Sequence, residues 1–342
     1  MTTTQPKKTA KSKLLASPRE IKRQFPLSDK SRKLIQKSRK EIKDIILGKD
    51  KRKLLIVGPC SIHDVNEAKE YAHLLKELAD RVQDKFLIVM RAYIEKPRTK
   101  MGWTGLIHEP DIKKPFNLNK GLKISRQLLV DLTAIGVALG VEIVTPSLIP
   151  YYIDLVSWAT IGARTVESPH HRHVVSSLNL PVGFKNTPQG EIIPAINAIS
   201  TAREQQCFAL VNDEGRLTEH HSSGNPYCHL VLRGGATPNF SQEHIRLCQK
   251  ELQQSGLDPL IMVDCSHGNS GKNHINQPNV FFSVIQQMKT NKHIFSVMIE
   301  SNLVEGSQDP HQEQLQKGVS ITDSCLGWEK TEEIILRAYE MV

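Results

Sequence analysis

The chain has 342 residues, 39% of them apolar and 24% charged, which is ordinary for a globular protein. The sequence contains neither a secretory signal nor an apolar stretch of membrane length, so we expect a cytoplasmic protein that does not bind membranes. The net charge of +9 fits nucleic acid, an anionic membrane surface or small phosphorylated substrates as partners, and the placement of the charges has to decide among them.

The first 23 residues carry much of the excess positive charge, with seven Lys and Arg against one acid, Glu20. The seven are Lys7, Lys8, Lys11, Lys13, Arg19, Lys22 and Arg23. The segment lacks the Arg-rich amphipathic stripe of a transit peptide, and we interpret it as a solvated arm. Ser17 and Glu20 have the spacing of a capping box around Pro18, which predicts a short helix, and a longer helix follows up to Gly48. We therefore predict an N-terminal helical extension over residues 1–52.

Eight apolar runs rich in β-branched residues follow this extension, and segments with helical periodicity lie between most of them. Runs that do not alternate with polar residues are typical of parallel strands buried on both faces. The runs span residues 53–60, 86–91, 137–144, 158–164, 181–185, 229–233, 260–264 and 295–300. The pattern predicts an α/β fold, a (β/α)8 TIM barrel over residues 53–342.

One segment between the fifth and sixth runs does not fit the barrel pattern. Two short runs, 207–211 and 216–221, flank the turn residues Asn212-Asp213-Glu214-Gly215. This arrangement predicts a β-hairpin, at about residues 207–221, inserted outside the barrel.

Six cysteines, at positions 60, 207, 228, 248, 265 and 325, form no CxxC pair and no compact framework. Such spacing favours free thiols in a reducing compartment. Cys248 lies in a helical pattern where a thiol packs, whereas Cys60 ends an apolar run and is a candidate for chemistry.

Each of the eight runs closes on, or just short of, a polar or charged residue. These residues are Cys60, Arg91, Glu142, Arg164, Lys185, Arg233, His267 and Glu300. In (β/α)8 barrels the active site lies at the carboxyl ends of the strands, where such side chains converge. Four cations at one mouth with few adjacent acids predict a site for a doubly anionic ligand or two phosphate sites. For any single Arg, pairing with an acid at the rim is the simpler alternative.

The loop after the second run adds two more cations, Lys96 and Arg98, on either side of Pro97. Pro97 stiffens the backbone, and a compact ammonium beside a planar guanidinium is suited to holding a phosphate dianion. Arg233 is followed by Gly234-Gly235, which we interpret as allowing close approach of backbone to a ligand.

A second set combines sulfur, nitrogen and oxygen donors: Cys60, His267, Glu300 and Asp323. The first three end strands 1, 7 and 8, which are neighbours when a barrel closes, and Asp323 lies in the loop after strand 8. A mixed donor set suits one divalent ion such as Mn, Fe, Co or Zn and does not select among them. His63 is a weaker candidate, and a packed Cys beside a hydrogen-bonded His is the alternative interpretation.

These residues lie in short motifs that occur in a characteristic order. The motifs are GPCSIHD (58–64), EKPRT (95–99), IGARTVES (161–168), PVGFKN (181–186), HLVLRGG (229–235), DCSHGNS (264–270), MIESNLVEG (298–306) and SITD (320–323). From about Phe25 to the C-terminus, the chain resembles the type I 3-deoxy-D-arabino-heptulosonate 7-phosphate (DAHP) synthases of the short bacterial and fungal subgroup.

The resemblance implies condensation of phosphoenolpyruvate with erythrose 4-phosphate and water, the entry step of the shikimate pathway and of aromatic amino acid biosynthesis. It implies one divalent metal ion per subunit, held by Cys60, His267, Glu300 and Asp323. The residues implied to hold phosphoenolpyruvate or its water are Arg91, Lys96, Glu142, Arg164, Lys185 and Arg233. Pro97, Arg98 and Thr99 belong to the loop implied to hold the aldose phosphate. Lys96 and Glu142 are the candidates for proton transfer, and Cys60 and Asp323 complete the implied catalytic set.

Two other functions compete with this interpretation. A 3-deoxy-D-manno-octulosonate 8-phosphate synthase uses the same fold on a five-carbon aldose phosphate, but that family has Asn between the Lys and Arg where this chain has Pro97. A nucleic-acid-binding protein would fit the basic arm, yet aromatics make up only 5% and no recognition motif is visible, so we expect no specific nucleic acid partner.

The resemblance also implies regulation and assembly. An aromatic amino acid effector would bind near Leu178, Asn179 and Phe208, beside the N-terminal extension and the hairpin. Its identity stays open between Phe, Tyr and Trp, and free drift of these surface positions is the alternative. The resemblance points to a homodimer or homotetramer.

Overall fold

The structure is a computed structural model that describes residues 12–99, 102–113 and 116–342. Three basic residues of the predicted arm, Lys7, Lys8 and Lys11, lie outside the described residues. Among the helices of the described part, none has both the length and the apolar character that a membrane span requires.

Two helices precede the first strand, α1 (Pro18–Gln24) and α2 (Asp29–Ile46). The predicted capping box is present at the start of α1, because Ser17 Oγ accepts from the Glu20 amide and the Glu20 carboxylate accepts from the Ser17 amide. Just beyond α2, Gly48 has a φ of 70°, the left-handed conformation that commonly ends a helix at glycine. The division of the chain into an extension over 1–52 and a catalytic part stays a prediction.

Eight parallel strands form a closed barrel, which confirms the predicted fold class. The strands of the barrel are β1 (Lys53–Gly58), β2 (Phe86–Arg91), β3 (Ala138–Ile143), β4 (Trp158–Ile161), β5 (Val182–Lys185), β8 (Cys228–Leu232), β9 (Ile261–Asp264) and β10 (Ile294–Glu300). The barrel closes through the β1–β10 pair, so the first and last strands are neighbours, as the predicted metal site requires. The order around the barrel is β1, β10, β9, β8, β5, β4, β3, β2.

The predicted hairpin forms a separate two-stranded antiparallel sheet of β6 (Cys207–Val211) and β7 (Leu217–His221). Its turn lies against α1, where Lys22 Nζ is 2.7 Å from Asp213 Oδ1 and Arg19 pairs with Glu214. The hairpin is therefore connected to the N-terminal extension as well as to the barrel.

Helices follow the barrel strands and cover their outer faces. They are α3 (Val65–Arg81), α4 (Leu118–Ile135), α5 (Pro169–Ser176), α6 (Ile193–Arg203), α7 (Gln242–Gln254), α8 (Gln277–Met288) and α9 (Trp328–Met341). Short 3-10 helices lie at Pro146–Tyr151, Ile153–Leu155 and His274–Asn276. The sequence pattern missed α5, because its eight residues include three histidines and offer little apolar periodicity.

Successive side chains of a barrel strand point alternately outward and inward, so the core has two layers. Leu55 and Val57 pack outward against the covering helices, whereas Leu54 and Ile56 belong to a cluster inside the barrel. Three isoleucines of α2, at positions 42, 45 and 46, belong to that same interior cluster. Helix α2 therefore closes the N-terminal end of the barrel with its apolar face and leaves the other end open for chemistry.

Candidate active site

A cavity of about 720 Å³ opens at the carboxyl ends of the barrel strands. Cationic side chains outnumber acidic ones in its lining. The cations are Lys96, Arg98, Arg164, Lys185, Arg233 and Lys272, and the carboxylates are Glu142 and Asp323. Pro97, Thr99 and His267 also line it. Such a lining gives the cavity the potential to hold anions.

The four candidate metal ligands lie together at one side of this cavity. Cys60 Sγ, a Glu300 oxygen and an Asp323 oxygen all lie within 4.8 Å of one another. The Cys60 Sγ to Asp323 Oδ2 distance is 3.5 Å, and His267 Nε2 lies 3.7 Å from Glu300 Oε1. A thiol, two carboxylates and an imidazole at these separations match the donor chemistry of a divalent transition metal. The weaker candidate, His63, instead lies 3.6 Å from Glu67.

Lys96 lies between the anionic cluster and the cationic cavity. Its Nζ donates to Cys60 Sγ at 2.8 Å and to Asp323 Oδ2 at 3.1 Å. Burial opposes its charge, but the neighbouring Cys60, Asp323 and Glu300 raise the pKa of Lys96 well above its ordinary value. The Lys96 ammonium in turn holds the pKa of Asp323 well below the usual range of a carboxyl. Lys96 is therefore a protonated donor in the middle of the candidate site.

Arg91 anchors the deepest part of the mouth and is fully buried. Its guanidinium lies 2.9 Å from Glu300 Oε1 and 4.0 Å from the centre of the Tyr93 ring. Burial works against the charge, yet Tyr93 and Glu300 raise the pKa of Arg91. Arg91 orients the Glu300 carboxylate, because Oε1 of Glu300 accepts a hydrogen bond from the Arg91 guanidinium.

Asp264, at the end of β9, contacts two of the predicted site residues, although the sequence analysis did not single it out. Its Oδ2 lies 3.1 Å from Lys185 Nζ and 2.9 Å from His267 Nδ1. Burial alone would raise the pKa of Asp264, but His267 and Lys185 hold it well below its usual range. Asp264 Oδ2 and Ser266 Oγ both lie beside Nδ1, so the other ring nitrogen of His267, Nε2, is turned toward Glu300. An Asp three residues before a candidate ligand His was the available signal.

His267 also has an unusual backbone conformation. Its φ is 55°, in the left-handed region that residues other than glycine seldom adopt. Such conformations persist where surrounding contacts enforce them, and they cluster at functional sites. The Asp264 contact and the following loop, in which the Lys272 amide donates to the His267 carbonyl at 2.6 Å, provide that enforcement.

The expectation that the cations have few acids beside them is only half right. Three of them are paired: Arg91 with Glu300, Lys96 with Asp323 and Lys185 with Asp264. The strand ends bring these acids next to the cations although they are far apart in sequence. Within residues 12–99, 102–113 and 116–342, no ion pair is formed by Arg98, Arg164 or Arg233. These three, together with Lys272, which also lines the cavity and forms no ion pair in the same part of the chain, are the cations that remain available for an anionic ligand.

Two of the unpaired arginines donate to neutral oxygens, and for Arg233 this is the Gly234 carbonyl, 3.3 Å from Nη1. Arg164 Nε donates to Thr99 Oγ1 at 2.5 Å, which connects the loops after β4 and β2. Burial lowers the pKa of Arg233, and Arg164 lowers it further, while Asp264 acts in the opposite direction. The mutual repulsion of these guanidiniums would be relieved by a bound anion.

At two positions near this mouth, glycine allows another part of the chain to approach the backbone closely. Gly162 follows β4, and a Cβ there would overlap Glu142 Oε1, so glycine lets the carboxylate lie against the backbone. Gly234 has a φ of 71° and faces the backbone of Gly268. The prediction that Gly234-Gly235 serves approach to a ligand was therefore incomplete. Both are needed for packing of one loop on another, and Gly235 also lines the cavity.

The predicted regulatory residues lie away from this mouth, near a cavity of about 260 Å³ between α1, α5 and the hairpin, whose lining includes Leu178 but not Asn179 or Phe208. Leu178 lines this side cavity, together with Leu210, Thr218 and His220 of the hairpin. Phe208 stacks on His173 with ring centres 5.5 Å apart and meets His220 edge-on. The Asn179 amide oxygen instead accepts from Lys43 Nζ at 2.6 Å.

A parallel eight-stranded barrel with a cationic cavity and a cluster of metal-type donors at its C-terminal mouth defines an enzyme of phosphorylated small molecules. The family can be named from comparison with known proteins. Residues 24–336 match the model of the DAHP synthetase I family, and the chain belongs to this family. Members of the family condense phosphoenolpyruvate with erythrose 4-phosphate, the first step of the shikimate pathway, and are divalent-metal dependent in general.

Three similar proteins illustrate the match. A Tyr-sensitive phospho-2-dehydro-3-deoxyheptonate aldolase of Salmonella typhimurium is 46% identical over 94% of this chain and 91% of its own length. A Trp-sensitive relative from Buchnera aphidicola is 43% identical, covering 94% of this chain and 93% of its own. The solved structure of the Francisella tularensis aldolase has a TM-score of 0.96 at 41% identity, and the match covers 98% of both chains.

Proposed function

We propose that the cavity at the barrel mouth is the site where this chain forms DAHP and inorganic phosphate from phosphoenolpyruvate, erythrose 4-phosphate and water. The observation that carries the proposal is the joining of a cationic cavity of about 720 Å³ to the cluster of Cys60, Glu300 and Asp323. Two phosphorylated substrates need several cations in one place, and a carbonyl electrophile needs polarisation beside them.

Phosphoenolpyruvate is assigned to the part of the cavity where Lys185, Arg233 and Arg164 converge, with Arg91 behind it. Arg164 and Arg233 form no ion pair in the described part of the chain, so they are free to bind phosphate and carboxylate oxygens. Arginine holds such oxygens with two parallel hydrogen bonds, which fixes orientation as well as position.

Erythrose 4-phosphate is assigned to the loop after β2. Pro97, Arg98 and Thr99 line the cavity there, and Thr99 accepts from Arg164. In this assignment the loop connects the two phosphate positions, and the aldehyde end of the sugar lies near Lys96. Holding both substrates in one orientation removes much of the entropy cost of a two-substrate reaction.

A divalent ion is assigned to Cys60, His267, Glu300 and Asp323, whose donor set fits it by composition and spacing. When bound, such an ion supplies Lewis-acid polarisation of the aldehyde carbonyl. Burial beside Glu300 raises the pKa of the Cys60 thiol, so metal binding has to release its proton. A mixed set of sulfur, nitrogen and oxygen donors accommodates Mn, Fe, Co or Zn.

The remaining chemistry is assigned to Lys96 and Glu142. C3 of phosphoenolpyruvate bonds to the aldehyde carbon, and the Lys96 ammonium is placed to donate a proton to the aldehyde oxygen as it becomes a hydroxyl. Water then adds at C2, and the Glu142 carboxylate, which lines the cavity, accepts the water proton. The bond between C2 and the phosphate oxygen breaks last, as the new C2 hydroxyl becomes the keto oxygen and its proton passes to the departing phosphate, whose charge Arg164, Lys185 and Arg233 stabilise.

A two-sugar assay tests this function. We expect phosphate release from phosphoenolpyruvate with erythrose 4-phosphate, and a rate with arabinose 5-phosphate at least about a hundredfold lower, since the loop is built for the shorter sugar. Equal rates with both sugars would overturn the choice of substrate. Absence of product with either sugar, in enzyme supplied with Mn²⁺, would overturn the activity itself.

We further propose that an aromatic amino acid binds the side cavity next to Leu178. The supporting features are its apolar lining and the Lys22–Asp213 pair at 2.7 Å, whose charges complement the carboxylate and ammonium of an amino acid. Relatives named for tyrosine and for tryptophan sensitivity match this chain at 46% and 43% identity, so identity alone does not select the effector.

Inhibition assays with Phe, Tyr and Trp test the effector site. We expect one of them to inhibit and Leu178→Ala to weaken that inhibition about tenfold or more without changing uninhibited turnover. The matched control is Leu247→Ala, which removes an exposed leucine of α7. Unchanged inhibition in Leu178→Ala would place the effector elsewhere. We also propose a homodimer or homotetramer, which light scattering on the eluting protein measures directly.

A further inference from the structure

A second group of metal-type donors lies on the hairpin, which forms a sheet of its own outside the barrel. Cys207, Glu219 and His221 each offer one ligand atom, and these atoms all lie within 4.8 Å of one another. Their side chains are exposed, in contrast to Cys60 and Glu300 at the barrel mouth, which are buried. The catalytic proposal makes no use of this group.

The antiparallel register explains why the three side chains meet. Cys207 is paired directly with His221 across the hairpin, and Glu219 is two residues before His221 on the same strand. Because strand side chains alternate between faces, all three point away from the face that carries Phe208 and His220. The side cavity lies on that opposite face.

The distances fit a single ion. Cys207 Sγ lies 3.8 Å from His221 Nε2, and His221 Nε2 lies 2.8 Å from Glu219 Oε1. Donors on one tetrahedral zinc ion are about 3.5 Å apart, given bond lengths of roughly 2.0–2.3 Å, so small rotations of exposed side chains suffice. Ions such as magnesium and calcium are disfavoured, because they take oxygen ligands and not a thiolate with an imidazole.

We propose that Cys207, Glu219 and His221 form a zinc site on the outer face of the hairpin, with water as the fourth ligand. The ion bridges the two strands at the end of the hairpin opposite its turn, where the chain enters from α6 and leaves toward β8. Bound zinc thereby holds the register of the strands whose other face lines the side cavity. This proposal is independent of the proposed catalysis.

Protection of the Cys207 thiol tests the site without reference to activity. Cys207 is exposed, and the other five cysteines are buried, so iodoacetamide should label it first. The enzyme is treated with chelator, reloaded with one equivalent of Mn²⁺ and labelled with and without zinc, and the peptides that contain Cys207 and Cys60 are quantified separately by mass spectrometry. We expect labelling of Cys207 to slow about tenfold at a zinc concentration ten times the dissociation constant.

Matched variants identify the ligands. We expect His221→Ala to abolish the protection and Glu219→Ala to weaken it, whereas His311→Ala, which removes another exposed imidazole, leaves it intact. Hydrogen exchange of the hairpin amides should slow with zinc in the native chain and not in His221→Ala. The proposal is overturned if Cys207 of the native enzyme resists labelling without zinc, if zinc gives no protection, or if His221→Ala is protected equally.

Discussion

At the C-terminal end of the strands the barrel holds buried charges, whereas at the N-terminal end its interior holds mostly apolar side chains. Arg91, Asp264 and Glu300 at the mouth are at most 1% exposed, and each contacts an oppositely charged partner. At the other end, Trp158 and Phe295 pack around His229. Burial lowers the pKa of His229 to about 4, so this imidazole is neutral.

The difference follows from the energetics of burial. Apolar side chains stabilise the fold by about 25 cal/mol per Å² of buried surface, whereas buried charges cost free energy that their partners only offset. The mouth is therefore maintained for chemistry and the closed end for stability. We therefore expect substitutions at the mouth to lower activity, and substitutions at the closed end to lower the free energy of unfolding.

The largest effect is expected from removing a candidate metal ligand. Cys60→Ala should lower turnover about a thousandfold or more, because the site loses its thiolate ligand. Cys248→Ala is the control, since it removes another buried thiol, in α7, and should retain activity. Steady-state kinetics and metal content of the two variants measure the effect. Full activity of Cys60→Ala after chelator treatment would contradict the assignment of Cys60 as a metal ligand.

The next effect is expected from an unpaired cation of the mouth. Arg164→Ala should lower kcat/KM for phosphoenolpyruvate about a hundredfold, as removal of one charge-stabilising donor commonly does. Arg246→Ala removes an exposed guanidinium of α7 and should change kcat/KM less than twofold. If both variants behave alike, Arg164 does not contact the substrate.

Much of the fold could be predicted because local pattern and tertiary structure agree. The apolar runs gave the strands to within a few residues, as at 86–91, and the capping box placed the start of α1. Helix α5 could not be predicted in this way. Its histidines hide the periodicity, and its position is set by packing on α6 and not by local preference.

The site residues could be named, but their pairing could not. Cys60 and Asp323 could be predicted as candidate metal ligands from the sequence. That Lys96 donates to both of them could not. Asp264 was seen only as the end of an apolar run, since its role depends on Lys185, which arrives from β5, and on the turn that brings His267 back toward it. Such contacts depend on strand order and register, which local pattern does not encode.

The buried His229 at the closed end predicts how the free energy of unfolding depends on pH. The folded-state pKa of His229 is about 4, below the ordinary value of about 6.5, so the unfolded chain binds more protons between these values. The free energy of unfolding should therefore fall as pH is lowered from 7 to 5, by about 2 kcal/mol from this group. Denaturant unfolding of His229→Gln should lose this part of the dependence. If His229→Gln kept the pH slope of the parent, His229 would take up its proton equally readily in the folded and unfolded chains.

The smallest effect is expected where α2 closes the barrel. Ile42 is fully buried in the interior cluster, and Ile42→Val removes one methylene there, which should cost about 1 kcal/mol of unfolding free energy. Leu47 is 53% exposed just beyond α2, so Leu47→Ala should change stability by less than about 0.5 kcal/mol. Both variants should keep the turnover of the parent enzyme, because neither lies at the mouth. A loss of turnover in Ile42→Val at full folding would show that the two ends are coupled, and the division of labour between them would then fail.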